Sequence, residues 1–170
     1  MNQSRPLLVV IGPPGAGKSA LGRTVAKLLR VPFVDTDRRI VAKHGSISGI
    51  FAQHGEEWFR AAERAEVARA LTEVCVVALG GGAVLDVDTQ ADLVGARVVL
   101  VTVSADAVGA RIRGATRPLL KGGIESWKQL AGERAPLYER LATRIVDSSN
   151  RTVTSIAHEL AEWVQREENG

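Results

Sequence analysis

The chain of 170 residues has a single cysteine, Cys75, so no disulfide can form within it and a small, disulfide-stapled secreted scaffold is excluded. It also lacks a long apolar run: no stretch approaches the roughly 20 residues that cross a bilayer as a helix. Aromatic residues are only 4% of the chain, and there is no low-complexity tract or internal repeat, a composition ordinary for a globular protein. Nor does one sign of charge prevail. The 22 Lys and Arg residues are scattered among 19 acids, giving a net charge of +3 without a basic stripe. Such a chain is expected to bind small anions rather than nucleic acid or a membrane. The three histidines, His44, His54 and His158, have no metal-ligand spacing, and Trp58, Trp127 and Trp163 are expected to be packing residues. What remains is ordinary globular material, 45% hydrophobic and 24% charged, of a length that suits one domain over 1–170. Because Met1-Asn-Gln-Ser-Arg5 runs directly into an apolar segment, no targeting signal is expected, and the expected compartment is the cytoplasm.

Against this background one stretch stands out. Gly12-Pro-Pro-Gly-Ala-Gly-Lys18-Ser19 fits GxxxxGK[ST], follows the β-branched run Leu7-Leu-Val-Val-Ile11, and precedes a segment of helical period from Ala20 to Leu29. In that context it is expected to be a phosphate-binding loop. Glycines let the backbone turn its N–H groups inward, and the following helix adds the positive end of its dipole. The expected nucleotide contacts are Gly15, Ala16, Gly17, Lys18, Ser19 and Ala20, with Lys18 reaching the β- and γ-phosphates and Ser19 ligating Mg²⁺. The loop by itself therefore promises a nucleotide and Mg²⁺. A bare strand-to-helix turn would need neither the lysine nor the hydroxyl at those offsets.

The rest of the chain alternates strand and helix. Val31 to Val34, Cys75 to Leu79, Arg97 to Val103 and Thr143 to Val146 read as further strands. Helical patterns cover Arg38 to His44, Glu56 to Val74, Asp86 to Val94, Ser104 to about Arg113, Ser126 to Ala142 and Thr152 to Arg166, and Ser46 to His54 is irregular or helical. Strands apolar on both faces and separated by helices predict a three-layer α/β/α fold around a central five-stranded parallel sheet. Gly114 to Ile124 has loop composition, and a mobile lid is expected at about 112–124.

Ligands of such sheets sit beyond the carboxyl ends of the strands, and the informative residues fall there. Asp35-Thr-Asp37 follows the second strand. One acid can cap the next helix, but two beside a phosphate loop suit a carboxylate that supports the metal through water and one that takes a proton from an acceptor hydroxyl. Arg60 and Glu63, three apart, share a helix face, where Arg60 also has a favourable surface partner in Glu56. Gly80, Gly81 and Gly82 permit either a tight turn or close backbone approach to a ligand. Arg117 lies in the expected lid, and Arg134 in Glu133-Arg-Ala-Pro-Leu-Tyr138 suits a bidentate grip on a carboxylate, although either could be solvated or paired locally.

Taken together, GPPGAGKS at Gly12 to Ser19, DTD at Asp35 to Asp37, FR with Glu63 after Phe59 and Arg60, GGGAV at Gly80 to Val84, RPLL at Arg117 to Leu120 and RAPLY at Arg134 to Tyr138 resemble shikimate kinase, of the P-loop group similar to nucleoside-monophosphate kinases. The resemblance spans Leu7 to about Arg151. It implies transfer of the ATP γ-phosphoryl group to the 3-hydroxyl of shikimate by a monomer, with substrate-binding helices at about 36–64. It further implies that Asp37 binds the acceptor hydroxyls and is the base, that Asp35 supports Mg²⁺ through water, and that Arg60 and Arg134 hold the carboxylate. Gly80, Gly81, Gly82 and Glu63 would surround the ring, Arg117 would reach the phosphates, and Arg111 or Arg113, with Arg151, would lie near adenine. Gly45 to Phe51 looks one residue shorter than the family's usual segment. The rival expectations are a gluconate- or nucleotide-kinase-like enzyme of the same fold, and a non-catalytic nucleotide-binding regulator.

Overall fold

Successive side chains of a strand point to opposite faces, and here both faces are apolar. In β1 (Leu8–Ile11), Leu8 and Val10 belong to one core and Val9 and Ile11 to the other, all four buried. β3 (Val76–Ala78) and β4 (Val98–Thr102) divide in the same way, while β2 (Phe33–Asp35) and β5 (Arg144–Asp147) form the edges. The five strands make one all-parallel sheet in the order β2-β3-β1-β4-β5, with Val9 paired to Val77 on one side and to Val98 on the other. The structure, a computed structural model, describes residues 5–113 and 122–170, the side chains of residues 112 and 113 excepted.

A sheet buried on both faces needs helices on both. α1 (Lys18–Leu29) and α7 (Val153–Asn169) cover the Leu8 and Val10 face through Leu21, Val25, Ile156 and Leu160. α3 (Ile47–Ala70) and α6 (Gly123–Leu141) cover the other through Val67, Ala70 and Tyr138, joined by Leu93 at the end of α4 (Val87–Asp92). α2 (Thr36–His44) packs on α3 around Ile40, Ile50 and Phe59, and α5 (Ala105–Arg113) follows β4. This is the expected three-layer architecture. Among the described residues no helix is long and apolar enough to cross a membrane.

The break expected at Gly55 is present inside α3, where that glycine (φ 83°, ψ 174°) is non-helical and separates two helical pieces. Two boundaries differ from expectation. α3 ends at Ala70 rather than Val74, where the Thr72 hydroxyl donates to the Arg69 carbonyl at 2.7 Å and competes with the helical ladder. The expected lid at about 112–124 loses both ends, because the backbone of Arg113 closes α5 and Gly123 opens α6. Residues 114–121, Arg117 among them, lie outside the described residues.

Candidate active site

β1 lies between β3 and β4 although the chain visits β2 and β3 on one side before β4 and β5 on the other. The order of connections therefore reverses beside β1, which opens a crevice at its carboxyl end. The Gly12 to Ser19 loop occupies that position. Gly12 (φ 149°), Gly15 (φ 80°) and Gly17 (φ 89°) supply backbone conformations that other residues rarely adopt, and a Cβ on Gly12 would strike the Val101 carbonyl. Lys18 folds back on this loop and donates to the carbonyls of Gly12 at 2.8 Å and Pro13 at 3.0 Å. Burial lowers its pKa to about 8, a fall partly offset by the carboxylates of Asp37 and Asp35.

The Asp35-Thr-Asp37 segment joins β2 to α2, and each residue has a separate task. Asp35 caps α2 by accepting the Arg38 N–H with Oδ1 at 3.1 Å, and its Oδ2 accepts the Ser19 hydroxyl at 2.5 Å. Thr36 is fully buried: its hydroxyl donates to the Ala78 carbonyl at 3.4 Å and accepts the Gly80 N–H at 3.3 Å, tying the segment to the end of β3. Asp37 then lies against Gly80, where a Cβ would meet its Oδ1 at 2.5 Å. Burial pushes the Asp37 pKa up and Asp35 adds to the rise, while Lys18 and Arg60 oppose it.

The glycine strap after β3 is the centre of the cluster. A Cβ on Gly82 would meet the Arg60 guanidinium at 2.5 Å, and one on Gly81 would lie 3.3 Å from Pro14 Cδ and 3.5 Å from Arg134 Nη1. Close approach, and not merely a tight turn, is what these glycines provide. Arg60 donates to the buried Glu63 at 2.7 Å and sits 3.7 Å from Glu56, so the expected surface pair and the inward-facing role coexist. Burial raises the Glu63 pKa against the pull of Arg60. The Tyr138 hydroxyl donates to the Gly81 carbonyl at 2.6 Å and fixes the strap from α6; burial raises this phenol's pKa, and the charge of Arg134 acts against the rise.

On the other side of the phosphate loop, a cavity of about 240 Å³ is lined in part by Ala16, Gly17, Ala20, Arg111, Ser148 and Arg151. Arg111 donates to the Gly15 carbonyl at 2.7 Å and the Ser148 carbonyl at 2.8 Å. Of the two arginines left open by the sequence, Arg111 reaches this cavity; the side chain of Arg113 lies outside the described residues. Arg151 is held by Glu159 at 2.8 Å. Among the described residues no group of three or more His, Cys, Asp or Glu is gathered for a metal. The Ser19 hydroxyl and the Asp35 carboxylate, hydrogen-bonded to each other beside the loop, nevertheless form a hard-oxygen pair that fits Mg²⁺, an ion that takes few protein ligands and keeps its waters.

The structure thus joins Lys18, Ser19, Asp35, Asp37, Arg60, Glu63, Arg134 and the strap at one end of the sheet, with Arg111 and Arg151 behind the loop. Sequence reasoning missed Thr36, Trp127 and Ser148 as parts of this assembly, and gave Pro14 no role of its own within the loop motif. Thr36 had a signal, its place between the two acids; Trp127 and Ser148 gain their roles only from tertiary contacts.

A family model described as shikimate kinase matches residues 14–165. The chain is 47% identical over 162 residues to the shikimate kinase of Thermobifida fusca (strain YX), covering 93% of this chain and 94% of the relative. It is 40% identical over 169 residues to the shikimate kinase of Streptomyces coelicolor, covering 97% and 99%. Among solved structures, a shikimate kinase from Acinetobacter baumannii in complex with shikimate superposes with a TM-score of 0.84 and 27% identity over 96% of this chain and 94% of that one. A sugar kinase from Janibacter sp. HTCC2649 shares the fold alone, with a TM-score of 0.61 and 18% identity. Fold and site define an enzyme, a P-loop kinase of the type similar to nucleoside-monophosphate kinases. The chain belongs to the shikimate kinase family.

Proposed function

We propose that this chain transfers the γ-phosphoryl group of ATP to the 3-hydroxyl of shikimate, giving shikimate 3-phosphate on the route to chorismate and the aromatic amino acids. The observation that carries the reading is the Gly80 to Gly82 strap, whose backbone approaches Asp37, Arg60 and Arg134 and also abuts Pro14 of the phosphate loop. A carboxylate-bearing polyol seated there would face the phosphates directly. It is proposed to act as a single-domain cytoplasmic monomer.

Little covalent chemistry is asked of the protein in phosphoryl transfer; positioning and charge perform most of it. Arg60 and Arg134 present the planar, multidentate donors that suit a carboxylate, and Glu63 keeps Arg60 turned inward. Asp37 orients the acceptor hydroxyl and takes its proton, its raised pKa making it a stronger base than an exposed aspartate. Lys18 exchanges the Gly12 and Pro13 carbonyls for the phosphate oxygens. Ser19 would hold Mg²⁺ directly and Asp35 through water, where the ion would supply positive charge to the phosphates. Arg111 and Arg151 line the space proposed for adenine. Arg117 is assigned to the transferred group from its RPLL context in the sequence.

The test is acceptor-dependent ADP formation from ATP and Mg²⁺, with shikimate compared against gluconate and nucleoside monophosphates. Turnover with shikimate is expected. Turnover confined to another acceptor would make the chain a different kinase of this fold, and nucleotide binding without turnover would make it a regulator. Lys18→Ala and Asp37→Asn are each expected to lower kcat by about 10²–10⁴-fold while leaving the thermal unfolding transition cooperative. Unchanged turnover in either variant would remove that residue from its role.

A further inference from the structure

Three consecutive carbonyls of the phosphate loop point away from it into side-chain donors drawn from three different parts of the chain. The Pro14 carbonyl accepts the indole N–H of Trp127 on α6 at 2.7 Å. The Gly15 carbonyl accepts from Arg111 on α5 at 2.7 Å. The Ala16 carbonyl accepts the hydroxyl of Ser148, just after β5, at 2.8 Å. That hydroxyl has one proton for two neighbours, and the alternative acceptor, the Thr102 carbonyl, is farther at 3.1 Å. Trp127 and Ser148 are 4% and 8% exposed, so their donors have little access to water as an alternative.

A trans peptide is planar, and its C=O and the next residue's N–H point in opposite directions. Holding the carbonyls of Pro14 and Ala16 on the outside therefore aims the N–H groups of Gly15 and Gly17 to the inside, while the Ala16 N–H donates to the Pro13 carbonyl at 3.3 Å within the loop. This matters more here than in a loop without prolines, because Pro13 and Pro14 have no N–H to offer. The Gly15 N–H is the first donor after Gly12, and its direction is fixed by the peptide that Trp127 holds. Phenylalanine would keep an aromatic ring at Trp127, though a smaller one, and alanine would nearly fill the space of Ser148; what the observed residues add besides volume is a donor.

We infer that Trp127 and Ser148 are positioning residues for the nucleotide: together with Arg111 they orient the phosphate-binding amides from outside the loop. Trp127 acts on the phosphate chain alone, while Ser148 also borders the cavity proposed for adenine and holds Arg111 beside it. The inference rests on the transfer reaction proposed above.

Trp127→Phe and Ser148→Ala each delete a donor to the loop, and Ser148→Ala also removes an oxygen that Arg111 approaches at 3.4 Å. Each is expected to raise KM for ATP about 3–10-fold, the loss of one buried hydrogen bond, with KM for shikimate within about twofold of wild type. Inorganic tripolyphosphate and adenosine, both used as inhibitors competing with ATP, separate a positioning role from a general defect. For Trp127→Phe, tripolyphosphate inhibition should weaken by the same factor as ATP binding and adenosine inhibition should not change; for Ser148→Ala, at a residue that borders the cavity proposed for adenine, tripolyphosphate inhibition should weaken more than adenosine inhibition. Equal weakening of both inhibitors, or an unchanged tripolyphosphate constant, overturns the inference. The two variants are scored separately, with thermal unfolding as control, so a folding defect in one leaves the other decisive. Wild type is run in the same assay: if it shows no shikimate-dependent turnover, the proposed function fails, whereas normal wild-type turnover with unaltered variants defeats only the positioning role.

Discussion

Lys18 and Asp37 carry charges of opposite sign in one buried site, and burial works against both. Lys18 is lowered to about 8 and Asp37 is raised above the usual 3.8. In the free enzyme Lys18 is charged below about pH 8, so kcat/KM for ATP, which reports the free enzyme, should fall as pH rises through about 8. Bound phosphates favour the ammonium form, so the alkaline limb of kcat should lie at higher pH. Asp37 must be ionised to accept a proton, which places the acid limb of kcat/KM for shikimate above the ordinary aspartate range. Stability has a definite sign as well. An unfolded lysine keeps its proton up to about 10.5 while folded Lys18 releases it near 8, so the unfolded state binds more protons in between and the ligand-free chain gains stability with rising pH there. Relative to Lys18→Met, wild type should become more stable between about pH 8 and pH 10 by thermal unfolding; a constant difference would refute the buried-lysine account. These residues were legible in the sequence because their offsets from a strand end have few other uses. For Asp35 the helix-cap reading holds through one oxygen, which faces the Arg38 N–H, and the other oxygen faces Ser19, where the proposed metal support would need it.

Among the elements, the Gly80 to Gly82 strap and α6 turn separate side chains into a site. Gly80→Ala would place a methyl 2.5 Å from the Asp37 carboxylate, and Gly82→Ala would place one 2.5 Å from the Arg60 guanidinium. The consequences should differ. Asp37 is short and its segment is tied down through Thr36, so Gly80→Ala is expected to lower kcat by about tenfold or more. Arg60 is long and can yield at its far end, so Gly82→Ala is expected chiefly to raise KM for shikimate. Steady-state kinetics of the two variants distinguish these outcomes, and identical effects would show that the strap acts only as a turn. Helical and strand periods made the elements themselves readable, to within a few residues at Ala70 and Gly123. The second duty of α6 was not. Trp127, Arg134 and Tyr138 lie seven and eleven residues along one helix, within about 20° of a common face, and an aromatic at such spacing is indistinguishable from core until its N–H or O–H is seen to reach Pro14 or Gly81.

On the scale of the whole molecule, the parallel sheet followed from strands apolar on both faces, but the attachment of the acceptor-side helices to it did not. The apolar cluster between α2 and α3 is small, built on Ile40, Ile50 and Phe59. It is reinforced by ion pairs between residues 23 to 34 positions apart, which no local pattern reveals. Arg39 makes a two-point contact with Glu73 at 2.6 and 2.8 Å and also reaches Glu66 at 3.4 Å, and Lys43 pairs with Glu66 at 2.5 Å. Glu66 is 4% exposed; burial alone would raise its pKa, yet Lys43 and Arg39 bring it below the usual 4.5, and the hydrogen bonds from Arg39 lower Glu73 as well. For a carboxylate depressed in the folded state, the stabilisation is fully present above the unfolded value of about 4.5 and is lost as pH falls through the folded one. Arg39→Met should therefore cost about 1–3 kcal/mol at pH 7, less than a fully buried pair because the Arg39 side chain is 30% exposed. The cost should shrink in acid as the glutamates take up protons. Urea unfolding of wild type and variant at pH 7 and near pH 3 measures this directly. A penalty that persists undiminished in acid would mean that Arg39 stabilises through the packing of its aliphatic stem and not through its charge.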